Sequence, residues 1–81
     1  MSEEAVFKKM QDAITNYDTD AAVAAAKEAV AAGIDPAVAL DKGFASTIRE
    51  IGEAFERMDI FLPELVMAAN AMKAGVEVLE N

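Results

Sequence analysis

Leu40, Phe44, Ile48, Ile51, Phe55 and Met58 follow one another at steps of 4, 4, 3, 4 and 3 residues. That spacing lines one face of an α-helix and fits no strand, where apolar residues recur at every second position. Asp41, Lys42, Arg49, Glu50, Glu53 and Glu56 fall elsewhere on the same wheel. A helix with one apolar face must bury it against neighbours, so the remaining sequence has to supply further helices. Gly43 is expected to bend this helix in its first third. Gly52 lies in its interior at a cost of about 1 kcal/mol against alanine, and the expected reason is close approach of another backbone.

The partners are legible on both sides. Ser2 precedes Glu3 and Glu4, a helix cap followed by acids in the first turn. Phe7, Met10, Ile14 and Tyr17, with Val6 and Ala13 beside them, predict a first helix over about residues 3–16. Asp18 or Thr19 then caps a second helix, AAVAAAKEAVAAG, with a thin stripe at Val23, Ala26 and Val30. Gly33 is placed to end it in the left-handed conformation, with Ile34 folding back on the last turn. Asp35-Pro36 restarts the chain as a cap followed by a first-turn proline. After Met58-Asp59-Ile60-Phe61, Pro63 opens a fourth helix. One stripe there runs through Leu65, Ala69, Met72, Val76 and Leu79, a second through Met67, Ala71, Ala74 and Val78. Met67 and Met72 are expected to fill gaps in an alanine-rich core. Four helices joined by short connections predict an all-α fold, an antiparallel four-helix bundle.

With 81 residues the chain is one domain, and much of its hydrophobic fraction of 54% is alanine. The net charge of −8 argues against nucleic acid, which needs a basic footprint, and against anionic membrane surfaces. No run is apolar enough to span a bilayer, and MSEEAVFKK is no signal peptide, so a cytoplasmic home is expected. The chain holds no cysteine and no histidine. Disulfides, thiolate metal ligands, histidine bases and Ser-His or Cys-His nucleophiles are therefore unavailable. Glu50, Glu53 and Glu56 read as a wet helix face. Ser46 and Thr47 have no base near them in sequence and read as helix-surface hydroxyls. A non-catalytic domain is expected. One feature is left over: Leu62 to Ala69 carries a single charge, Glu64, so this end of the fourth helix is apolar on more than one side.

That surplus lies inside IGEAFERMDIFLPELVMAANAMKAGVEVL, residues 51–79, which closely resembles the cap-domain signature of corrinoid proteins. These are the cobalamin-carrying methyl-shuttle subunits of methylamine, methanol and methoxyaromatic methyltransferase systems, with the matching module of cobalamin-dependent methionine synthase. DPAVALDKGF, residues 35–44, is similar to the opening of the family's third helix, and the overall look is nearest to the methylamine type. The resemblance implies a helical cap, residues 1–81, over the upper face of a corrinoid (cobalamin) bound by a downstream Rossmann-like domain. The cobalt-ligating histidine of that domain, in an Asp-x-His-x-x-Gly motif, is not in this chain. The resemblance further implies upper-face contacts from Phe55, Leu62 and Leu65, with Val66 and Ala69 at the edge. They would exclude water from the cobalt-bound methyl group until the cap moves aside for a methyltransferase.

The family often has glycine where this chain has Met58. Either Met58 adopts positive φ at a cost of roughly 1 kcal/mol, or it extends the helix and packs into the core. Two further readings remain. The patch at Phe55, Phe61, Leu62 and Leu65 can serve a stand-alone interaction module that docks a protein partner or forms a weak homodimer. A small carrier with a modified serine fits the acidity and helix number, but lacks an Asp-Ser-Leu type attachment site.

Overall fold

The computed structural model describes residues 2–80, and all regular structure among them is helical. Helix α1 spans Glu3–Thr15 and α2 spans Thr19–Ala31. Helix α3 continues through Pro36–Ala39, a wide π-turn at Leu40–Ala45 and Ser46–Glu56. Helix α4 spans Leu62–Glu80. The molecule measures 37 × 18 × 17 Å.

Local chemistry sets most of these boundaries. Ser2 accepts from the Ala5 N–H, Asp18 from the Ala21 N–H and Asp35 from the Ala37 N–H, so each of the first three helices starts on a side-chain oxygen. Three ends close by the same pair of backbone bonds. Asp18 N–H reaches Ala13 O and Tyr17 N–H reaches Ile14 O; Ile34 and Gly33 bond to Ala29 and Val30; Asp59 and Met58 bond to Ala54 and Phe55. This closure puts the penultimate residue at positive φ. Gly33 suits it at 73°, whereas Tyr17 at 56° and Met58 at 66° are side chains in a region that disfavours them. Met58 thus takes the first of its two expected courses. It stands outside the helix and in water, not in the core.

The core is built around Phe44, Met10, Ile14 and Val6, all fully buried, together with Ala22, Ala25, Ala26 and Ala29 of α2 and Ala68 and Ala71 of α4. The expected stripe on α2 is therefore displaced: Val30 is half exposed and the alanines are buried, because small side chains let the backbones come close. Helix α4 likewise buries Ala68, Ala71, Gly75 and Leu79. Met72 and Val76 pack beside that row, but Ala69 and Met67 face water, so Met67 fills no gap in the core. The expected reason for Gly52 also fails, since a Cβ there would meet nothing within 4 Å. The close approaches are at Gly43, where a Cβ would lie 2.5 Å from the Met10 sulfur, and at Gly75, where it would enter the Phe44 ring and sit 3.3 Å from the Ala22 carbonyl oxygen.

Where a bend was expected at Gly43, the helix widens into the π-turn. The Ser46 N–H reaches back to Asp41 O, and the Lys42 carbonyl accepts from Gln11 Nε2 and from Ser46 Oγ, each at 3.0 Å. Thr47 is buried rather than on the surface, and its hydroxyl donates to Gly43 O. Helices α1 and α2 pack side by side, with Lys9 paired to Glu28 at 2.9 Å. Helix α2 packs along α4 and meets α3 mainly at its first turn, so consecutive helices are not all neighbours.

Candidate functional site

The bundle is closed through its middle and open at the connection between α3 and α4. Phe55 ends the apolar face of α3 and is 36% exposed; Leu62, in the first turn of α4, is 58% exposed. Between them Met58, Ile60 and Phe61 wall a groove of about 470 Å³. Met58 and Phe61 are the most open large apolar side chains of the patch, at 85% and 72%. Glu56 is the one charged residue in the lining, and the neighbouring Arg57 pairs with Asp59 at 3.1 Å.

Helix periodicity extends the patch along α4. Leu62, Leu65, Val66 and Ala69 are three, four and seven residues apart, one face of a helix. Val66 and Ala69 are exposed and Leu65 is half-buried. The structure thus brings Phe55 and Leu62 together in the groove, while Leu65, Val66 and Ala69 lie outside its lining. The groove walls at Met58 and Ile60 were not among the expected site residues. Their signal was present in the sequence: a four-residue connection, Met58-Asp59-Ile60-Phe61, with three apolar members, where connections are ordinarily polar.

Glu64 organises the start of α4. Its Oε1 accepts the Phe61 backbone N–H at 3.2 Å, and the Leu65 N–H donates to Phe61 O. A glutamate reaching back to the residue that opens its helix is one half of a capping box. Its Oε2 accepts from the Tyr17 hydroxyl at 3.3 Å, which sets the α1–α2 turn beside the α4 N-terminus. Burial and then the neighbouring Glu64 carboxylate push the Tyr17 hydroxyl above its usual value of 10.0.

A second hollow, about 280 Å³, lies between α1 and α2, with Lys9, Asp12 and Glu28 over Ala13, Ala21 and Ala25. It holds none of the expected site residues. Among the described residues no three His, Cys, Asp or Glu side chains group to hold a metal, and none of their helices is long and apolar enough to cross a membrane. The open end thus presents mainly apolar side chains, with Glu56 as the one charged residue in the groove lining.

The fold and site together are those of a small helical bundle with one apolar end exposed beside a glutamate-capped helix start. The chain belongs to the B12 binding domain family, whose model matches residues 6–80. Over 79 residues it is 46% identical to trimethylamine corrinoid protein 1 of Methanosarcina acetivorans, covering 98% of this chain and 37% of that protein. It is 41% identical to the trimethylamine corrinoid protein of Methanosarcina barkeri over 96% of this chain and 36% of the relative. Dimethylamine corrinoid protein 1 of Methanosarcina acetivorans matches at 40% over 100% of this chain and 38% of its own length. The chain thus spans a little over a third of the curated relatives it matches.

Proposed function

We propose that this chain is the helical cap of a corrinoid methyl carrier in a methylamine methyltransferase system. It covers the upper face of the corrinoid through Phe55, Leu62 and Leu65, with Val66 and Ala69 at the edge of the contact. The observation that carries this reading is the open groove: Phe55 and Leu62 share it, at the end of a bundle whose middle is closed. The family and the names of the relatives support the corrinoid as its object.

The corrinoid, when bound, supplies a cobalt centre that accepts and gives up a methyl group. Phe55, Leu62 and Leu65 supply only carbon surface. They exclude water and chance oxidants from the upper face and move no proton, so the domain is not itself a catalyst. The cobalt ligand and the rest of the ring's cradle come from a separate domain, expected downstream. Methyltransferases reach the cobalt only when the cap swings aside, a gating motion. An apolar contact suits that motion because it seals the face without directional bonds that must be broken.

The test uses a hybrid holoprotein in which these 81 residues replace the matching segment of the Methanosarcina acetivorans trimethylamine corrinoid protein. Leu62→Ala and Phe55→Ala should each speed air oxidation of the reduced corrinoid. Unchanged rates in both variants would remove the shielding role. A second reading is favoured by the exposure of Met58 and Phe61, which exceeds that of Leu62: an interaction module that docks a protein partner or a second copy. Concentration-dependent sedimentation of the isolated chain tests the second-copy form of this reading, which a strict monomer at high concentration rules out.

A further inference from the structure

Leu62 and Phe61 stand largely in water, so core packing does not fix where they point. Their direction depends on the backbone turn that opens α4. That turn is held by one carboxylate with divided duties. Glu64 Oε1 takes the Phe61 N–H at 3.2 Å and Oε2 takes the Tyr17 hydroxyl at 3.3 Å. Tyr17 reaches it from a backbone position at φ 56° that glycine would occupy with less strain. Glycine could close the α1 helix, but it has no hydroxyl to bring to Glu64. Met58, the other side chain at positive φ, makes the contrast plain: it points into solvent, while Tyr17 is half-buried and bonded across the molecule. Strained residues that persist are held for their side chains or by their surroundings.

We propose that Tyr17 and Glu64 form a latch that positions the lid. The latch anchors the first turn of α4, and with it Leu62, to the α1–α2 turn. Tyr17 is a positioning residue, acting through Glu64 on groups that touch the ring. This inference rests on the cap reading for its purpose, though not for its geometry.

The experiment has two arms. In the isolated chain, amide hydrogen exchange is followed for Phe61 and Leu62 in the wild type, Tyr17→Phe, Glu64→Ala and the double variant. Tyr17→Phe should raise Phe61 exchange about three- to tenfold, the effect of one lost hydrogen bond, with Ile14 and Phe44 unchanged. In the Glu64→Ala background Tyr17→Phe should add nothing. Unchanged exchange at Phe61, or an equal rise at every amide, overturns the latch. In the hybrid holoprotein, Tyr17→Phe should speed corrinoid oxidation by a smaller factor than Leu62→Ala. If Leu62→Ala speeds oxidation and Tyr17→Phe does not, the latch falls and the cap reading stands. If neither Leu62→Ala nor Phe55→Ala has an effect, the cap reading falls, and the exchange arm alone decides whether Tyr17 positions the turn.

Discussion

The middle of this bundle and its open end are made from the same kinds of residue and treated oppositely. Two phenylalanines on α3 show it. Phe44 is fully buried, with the Gly75 backbone against its ring, while Phe55, three helical turns later on the same face, is over a third exposed. Methionine divides likewise, Met10 sealed beside Gly43 and Met58 in water. An apolar side chain is thus no measure of core membership; what matters is whether a neighbouring backbone comes close enough to cover it. The middle is covered because glycine and alanine let α2, α3 and α4 approach. Beyond Phe55 the chain turns away and nothing in these residues covers the patch.

The largest effect should come from breaking the middle. Phe44→Ala removes a fully buried ring and should cost about 3–5 kcal/mol, a large share of the about 4–12 kcal/mol expected for a domain of this size. Urea denaturation followed by circular dichroism would read it. The matching change at the open end, Leu62→Ala, should shift stability by no more than about 0.5 kcal/mol. If Leu62→Ala proves as costly as Phe44→Ala, the two ends are not different in kind.

The glycines sharpen the comparison at smaller scale. Gly75→Ala drives a methyl group into the Phe44 ring and towards the Ala22 carbonyl, and should destabilise by about 1–3 kcal/mol. Gly52→Ala meets open space and should stabilise by about 0.5–1 kcal/mol through helix propensity. At the open end, Met58→Gly relieves a side chain at positive φ and should stabilise by about 1 kcal/mol. Denaturation midpoints order all three. A stabilising Gly75→Ala would mean that the approach at Phe44 is looser than its geometry indicates.

These residues also mark what could be read in advance. Helix starts at Ser2, Asp18 and Asp35 and the end at Gly33 were legible because each depends on a few adjacent groups. Phe44 and Ile14 were legible because a large apolar residue on a periodic face has few other places to go. The buried face of α2 was not. In an alanine-rich helix every face is apolar, and the choice falls to whichever side allows the closest approach, so Val30 was left outside. The glycine at which helices touch was hidden for the same reason: Gly43, Gly52 and Gly75 are alike in sequence, and only the partner's position separates them. The candidate site was half legible. Phe55 and Leu62 were expected at it from a resemblance, while Met58 and Ile60 needed the turn geometry to bring them to the groove. Tyr17 was read only as the last member of the first helix's apolar pattern, and its bond to Glu64 spans a separation that no local pattern encodes.

The smallest effect concerns the join between the two regions, where Tyr17 meets Glu64. Burial, then the Glu64 charge, hold the Tyr17 hydroxyl above its usual value of 10.0 in the folded chain. The unfolded chain therefore releases this proton at lower pH than the folded one. Below about pH 10, the unfolded tyrosine value, both states keep it and the full contribution to stability is present. As pH rises from there through the folded value, only the unfolded state gains from ionisation, so stability falls. Other titratable side chains also change charge at alkaline pH. The informative quantity is therefore the difference between the wild type and Tyr17→Phe. That difference should be flat up to about pH 10 and should then close, with the wild type losing more. The chain has one tyrosine and no tryptophan, so phenolate absorbance gives the folded value of this group directly. A midpoint at or below the unfolded value would mean that the hydroxyl is not held against Glu64. The open end would then be tied to the middle by its backbone alone.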